Sequence, residues 1–159
     1  MNDIDTLVGQ LANALTARGW TMATAESCTG GLIAGACTDR AGSSDWFERG
    51  FVTYSNAAKT DLLGVPADLI AAHGAVSEPV ARAMAAGALA HAPVQVAVAV
   101  TGVAGPSGGS ADKPVGTVWL GWATPQGVFT ERQRFDGDRA AVRRATVAHA
   151  LAGLLQRLS

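Results

Sequence analysis

Three short stretches of this 159-residue chain combine residue types that do chemistry. The first is TAESCTGG, residues 24–31, where apolar residues give way to small polar ones and two glycines precede a helix. A hydroxyl at such a junction, Ser27, can face a ligand, because glycines let backbone approach closely and a helix N-terminus offers free N–H groups. Capping of that helix by Ser27 or Thr29 explains the same residues equally well. Cys28 is a rival nucleophile, but no nearby histidine offers a thiolate partner, so it reads as a buried, inert thiol. The second stretch is VTYSNAAK, residues 52–59. It holds Tyr54, the sole tyrosine, and Lys59, one of two lysines against ten arginines. Lysine can give up its proton near neutrality and arginine cannot. If Ser55 or Asn56 caps the next helix, Lys59 falls in its first turn, where the dipole disfavours positive charge. A solvated helix lysine is the plainer alternative. The third stretch, TGVAGPSGG at 101–109, offers Thr101, Gly102 and Gly105 as a backbone cradle for phosphate. No Gly-Lys-Ser/Thr closes it, so it is not a Walker A loop. Arg139 and Arg143, four apart, share a helix face near its start, and cations are unfavourable there unless an anion sits nearby. Solvated arginines offset by Asp136 and Asp138 are the alternative.

Other chemistries find no support. His73, His91 and His149 are scattered without HExxH or a related metal pattern. There is no GxSxG elbow and no GxGxxG after a strand. The net charge of -1 argues against nucleic-acid or membrane-surface binding. Cys28 and Cys37 form neither a CxxC nor a disulfide framework, and no signal peptide is legible, so a cytoplasmic location is expected.

The elements that must position these residues follow from periodicity. Ile4, Leu7, Leu11, Ala14 and Leu15 recur at helical spacing and Gly19 suits the stop. Strands are expected at 20–25, 50–55, 94–101, 115–123 and 128–135, the last two as a hairpin. VQVAVAVT, 94–101, is nearly all apolar, as a strand covered on both faces should be. Helices are expected at 30–37, 56–63, 66–73, 77–92 and 138–158, the last with Val147, Leu151, Leu154 and Leu158 on one face. Hydrophobic residues make up 48% of the chain, ample for one core, so residues 1–159 read as a single domain. Alternation of strands and helices followed by a hairpin implies a three-layer α/β/α sandwich around a mixed, mostly parallel sheet.

TAESCTGG, AGSSDWFERGFVTYSNAAKTDLLGV and AVAVTGVAGPSGGSADKPVGTVWLG, in this order and spacing, resemble the CinA C-terminal domain family over nearly the whole chain. Its stand-alone members are nicotinamide-nucleotide amidases of NAD salvage. The resemblance implies hydrolysis of the carboxamide of nicotinamide mononucleotide to the nicotinate nucleotide and ammonia. It implies Ser27, Tyr54 and Lys59 as the catalytic set. Ser27 would attack the amide, with neutral Lys59 taking its proton directly or through Tyr54. Backbone N–H groups over 28–31 would hold the oxyanion, which brings in Thr29, Gly30 and Gly31. Thr101, Gly102, Gly105, Arg139 and Arg143 would bind the nucleotide. No metal and no cofactor is expected. The expected partner is a small nucleotide, with self-association into a dimer or higher homo-oligomer and no nucleic-acid or membrane partner. Larger two-domain members carry a further domain linked to nucleotide pyrophosphatase activity, which is not assigned here. A different small amidase, dependent on Cys28, and a catalytically silent nucleotide-binding protein are the alternative readings.

Overall fold

The computed structural model describes residues 3–158; positions 1, 2 and 159 of the expected domain lie outside the described residues. Among the described residues, six α-helices and five strands follow in order: α1 (Ile4–Arg18), β1 (Met22–Glu26), α2 (Leu32–Thr38), β2 (Phe47–Val52), α3 (Asn56–Leu63), α4 (Ala67–His73), α5 (Glu78–Ala90), β3 (Val96–Gly102), β4 (Thr117–Thr124), β5 (Gly127–Arg134) and α6 (Arg139–Gln156). The strands form one sheet in the order β2-β1-β3-β4-β5. β1 pairs parallel to β2 and β3, and β4 is antiparallel to both its neighbours. Four of the five strands therefore point one way, and the sheet is mixed as expected.

The sequence of β3 shows how the layers are built. Side chains alternate across a strand, so Val96, Val98 and Val100 face α1, α2 and α6, while Ala97 and Ala99 face α3, α4 and α5. The valine face takes the bulky partners Leu11, Leu15, Trp122 and Leu151. The alanine face lets α5 lie close, with Val80, Met84, Ala85 and Ala88 against the sheet. β1 and β3 are central and buried along almost their whole length. The two crossovers that join the parallel strands pass on opposite faces, α2 on one and α3 to α5 on the other, which leaves a crevice at the strands' C-terminal ends.

One boundary differs from the sequence reading. β2 runs over Phe47–Val52, not 50–55. It is an edge strand with Glu48, Arg49 and Gly50 exposed, so its first half carries no apolar alternation. Its register against β1 slips between Met22 and Ala23, leaving Glu48 unpaired. Thr53 to Ser55, expected as strand, instead leave the sheet and lead into α3.

Packing on the valine face depends on one glycine. The indole of Trp122 is fully buried and donates Nε1–H to the Ala150 carbonyl at 3.0 Å. A Cβ on Gly153 of α6 would stand 2.2 Å from the ring. Gly153→Ala is therefore expected to destabilise the protein by about 1–3 kcal/mol, despite alanine's better helix propensity. Urea denaturation of the two proteins checks this, and an equal or higher midpoint for the variant would contradict it.

Candidate active site

Ser27 follows the last residue of β1, at the C-terminal ends of the three parallel strands. Its N–H is tied to the Val100 carbonyl of β3 at 3.1 Å, and on the other side Thr53 N–H bonds to the Glu26 carbonyl at 2.8 Å. The sheet thus holds the backbone around Ser27 from both flanks.

Lys59 comes from α3. Ser55 is the N-cap, its hydroxyl accepting from Ala58 N–H at 3.0 Å. That places Lys59 at the end of the first turn, as the capping argument expects. The lysine is 1% exposed. Its Nζ lies 3.1 Å from Ser27 Oγ, 3.0 Å from the Thr53 carbonyl and 3.2 Å from the Tyr54 carbonyl. No carboxylate pairs with it among the described residues. Burial pulls its pKa below the ordinary lysine value, with a smaller opposing contribution from the neighbouring Cys28. All three partners can accept from the amine, and the serine hydroxyl can instead donate to its lone pair once the proton is lost.

Burial pushes the Cys28 thiol up to about 12, and Glu26 adds to the effect. Cys28 is therefore a protonated, unreactive thiol at neutral pH, in keeping with the sequence reading.

The turn after Ser27 depends on a residue the sequence reading passed over. Gly30 and Gly31 have φ of 56° and 107°, values that favour glycine. Gly31 is the N-cap of α2 but has no side chain to cap with. The buried Glu26 carboxylate supplies the missing acceptors, taking Ile33 N–H at 2.8 Å, Ala34 N–H at 3.0 Å and the Thr29 hydroxyl. So neither Ser27 nor Thr29 caps α2. A charged residue closing a wholly buried strand was the available signal, since a carboxylate there must find donors.

A cavity of about 230 Å³ opens beside Ser27, lined also by Cys28, Tyr54, Asn56, Lys59, Ala75, Val76, Thr101, Gly102, Ala104 and Arg139. Of the expected site residues, Ser27, Tyr54, Lys59, Thr101, Gly102 and Arg139 are brought together here. Thr29, Gly30, Gly31, Gly105 and Arg143 are not on its wall. Thr29 is committed to Glu26. The Gly105 carbonyl accepts from Arg139 Nη1 at 2.9 Å. Arg143 donates to the Cys28 and Thr29 carbonyls at 3.1 and 3.2 Å, bracing the turn from behind. Asn56 and the 75–76 turn were missed; Ala75 and Val76 carry no chemical signature in sequence. The Thr101 hydroxyl binds the Ala75 carbonyl at 3.0 Å and joins that turn to β3.

Tyr54 sits differently from the expected relay. Its backbone carbonyl meets Lys59, while its side chain is 63% exposed and its hydroxyl lies 3.5 Å from Arg139 Nη2. Arg139 and Ala104 also border a second cleft of about 660 Å³, with Gly137, Asp138 and Arg143 on its wall. Among the backbone donors after Ser27, Gly30 and Leu32 N–H are used within the turn. Those of Cys28 and Thr29 have no acceptor among the described residues.

The buried amine makes stability depend on pH. Unfolded, Lys59 keeps its proton up to about pH 10.4. Folded, it gives the proton up at a lower pH. Between the two values the unfolded state binds more protons, so stability rises with pH through that window and is lost as pH falls through the folded value. Lys59→Met is expected to flatten this rise, and to unfold at higher denaturant than wild type near pH 7. Denaturation curves from pH 7 to 10 measure it; parallel pH dependences for the two proteins would count against a depressed Lys59.

The CinA C-terminal domain model matches residues 4–158. The chain is 58% identical over 148 residues to "Nicotinamide-nucleotide amidohydrolase PncC" of Escherichia coli strain K12, covering 92% of this chain and 90% of that protein. A protein of the same name from Pseudomonas putida is 58% identical over 156 residues, 98% of each chain. The crystal structure of competence/damage inducible protein CihA from Agrobacterium tumefaciens superposes with a TM-score of 0.95 at 49% identity, covering 98% of this chain and 96% of that one. On a family match that spans almost every described residue, this chain belongs to the CinA C-terminal domain family.

Proposed function

We propose that this chain is a nicotinamide-nucleotide amidohydrolase, releasing ammonia from the carboxamide of nicotinamide mononucleotide with Ser27 as nucleophile and Lys59 as its base. One observation carries the chemistry: an uncompensated, buried lysine amine 3.1 Å from a serine hydroxyl on the wall of a cavity. The activity named for the relatives in Escherichia coli and Pseudomonas putida supports the substrate.

The steps follow from the geometry. Neutral Lys59 takes the Ser27 proton as Oγ attacks the carboxamide carbon. The carbonyl oxygen gains negative charge, and the Cys28 N–H, next to the nucleophile and without a backbone acceptor, is the candidate donor to receive it. Lys59, now an ammonium, returns its proton to the amide nitrogen. The C–N bond breaks and ammonia leaves, with Ser27 esterified. Lys59 then takes a proton from water, whose oxygen attacks the ester, and returns it to Ser27 Oγ as the carboxylic acid departs and ionises in solvent. Arg139, exposed at the outer end of the cavity and bordering the second cleft, is placed for the nucleotide phosphate. Arg143 acts through the turn it braces.

Ammonia release from nicotinamide mononucleotide, run beside free nicotinamide, tests the reading. Ser27→Ala is expected to fall to background while still folding. Lys59→Arg keeps the charge but supplies no base, so kcat is expected to drop by about 10²–10⁴-fold. A largely active Lys59→Arg would remove the base role, and equal turnover of nicotinamide and its nucleotide would remove phosphate recognition.

A further inference from the structure

Lys113, the second of the two lysines, reaches from the glycine-rich loop to the end of α4. Its Nζ donates to the His73 carbonyl at 2.7 Å. The last carbonyls of a helix lack partners within it, and a lysine suits them in hydrogen bonding and in charge. An ordinary capping lysine accounts for that bond alone, but the next two carbonyls are held as well. Ser77 Oγ donates to the Gly74 carbonyl at 2.8 Å, and Thr101 Oγ1 donates to the Ala75 carbonyl at 3.0 Å. Three successive carbonyls thus accept from three side chains, one from the loop, one from the start of α5 and one from β3. Ser77 occupies the N-cap of α5, yet its hydroxyl makes no cap bond and turns back to this segment instead. Gly74 has a φ of 80°, and a Cβ there would stand 2.9 Å from the Lys113 amine.

Ala75 and Val76 line the cavity beside Ser27. Gly74, Ala75 and Val76 are half-buried, and side chains this small bury little area with which to fix a backbone. Hydrogen bonds from other elements must hold it. The loop tip is built to supply one. Ser110 N–H bonds to the Lys113 carbonyl at 2.9 Å, and Lys113 N–H bonds to the Ser110 hydroxyl at 3.2 Å. Arg132 of β5 donates to the Asp112 carbonyl at 3.0 Å and ties the tip to the sheet. None of residues 107–113 lies on the wall of the cavity or of the second cleft. We infer that Lys113 is a positioning residue: through the His73 carbonyl it holds the Ala75–Val76 wall ready for substrate, so the loop tip serves the site as a strut from outside and not as a phosphate cradle. On the amidohydrolase reading above, on which this inference rests, that substrate is nicotinamide mononucleotide. A wall ordered beforehand leaves nothing to be ordered on binding. The effect therefore falls on KM and spares Ser27 and Lys59, which have their own ties to Val100 and Thr53.

The test compares wild type, Lys113→Met and Ser77→Ala. Methionine keeps much of the reach of lysine without its donors, and the serine variant removes the neighbouring tether without touching a charge. Backbone NMR order parameters at residues 74–76 should be about 0.85 in wild type and fall below about 0.7 in both variants, with β3 unchanged. KM for nicotinamide mononucleotide should rise about 3- to 10-fold in both, with kcat within about 2-fold of wild type. A higher KM in Lys113→Met with unchanged order parameters, or with no rise in Ser77→Ala, would make the lysine a direct charge contact with substrate and overturn the inference. So would a loosened 74–76 segment with unchanged KM, or a loss of about 100-fold in kcat for Lys113→Met. If wild type releases no ammonia, the amidohydrolase reading fails by itself. The order parameters, which need no substrate, then decide whether Lys113 holds the wall.

Discussion

A lysine amine buried without an acid to pair with is the constraint around which this molecule is arranged. Charge in the interior is costly, and hydrogen bonds alone do not offset it. The site satisfies the donors of Lys59 with the Thr53 and Tyr54 carbonyls and the Ser27 hydroxyl. These partners serve the protonated and the neutral amine alike, so losing the proton leaves no group unpaired. The charge is what remains unsatisfied, and that tips the balance toward the neutral form. Holding those three partners within 3.2 Å of one nitrogen requires the ends of β1 and β2 to be fixed relative to each other. The Thr53 to Glu26 backbone bond and the Ser27 to Val100 bond do this. The central parallel strands therefore set the protonation chemistry as much as the shape of the cavity.

Glu26 is a second buried ionisable residue, one position before Ser27, and its partners are of the opposite kind. Its carboxylate receives two helix N–H groups and a hydroxyl, and it faces the positive end of α2. The helix end is thereby occupied, and the backbone donors left without a partner are those of the turn between Ser27 and Gly30. Arg143 contributes there by holding the Cys28 and Thr29 carbonyls on the side of α6. In a trans peptide the N–H points away from its own carbonyl. A guanidinium that pulls the Cys28 carbonyl to one side therefore turns the Thr29 N–H to the other.

How much of this was legible depends on whether a residue's type betrays its surroundings. The Val/Ala alternation in β3 announces a strand covered on both faces, and capping by Ser55 was readable because a serine hydroxyl has a characteristic use before a helix. Lys59 stood out by rarity in an arginine-rich chain. Rarity is not a sufficient marker, though, because the other lysine, Lys113, ties the glycine-rich loop to the His73 carbonyl at 2.7 Å. The first half of β2 was hidden because an exposed edge strand has no pattern to read. Ala75 and Val76 were hidden because small apolar residues reveal location only after the chain has folded around them. Tyr54 was expected in the site and is there, but sequence has no way to tell a backbone contribution from a side-chain one.

The same limit separates Arg139 from Arg143. They lie four apart on one face of α6, and spacing treats them as equivalent. One turn of helix decides between them. Arg143 lies deeper, half-buried, and both its bonds go to the backbone of the nucleophile turn. Arg139 stands at the first position of the helix, exposed, with one nitrogen on Gly105 and the other toward the Tyr54 hydroxyl. A guanidinium presents five N–H donors, so Arg139 keeps donors to spare at the cavity mouth. The buried part of the cavity wall, Ser27, Lys59 and Thr101, is thus made of side chains whose bonds are already spoken for within the chain. The outer end is made of side chains that still face water. Such a gradient suits a substrate whose uncharged reacting group enters first and whose charged tail stays near the surface.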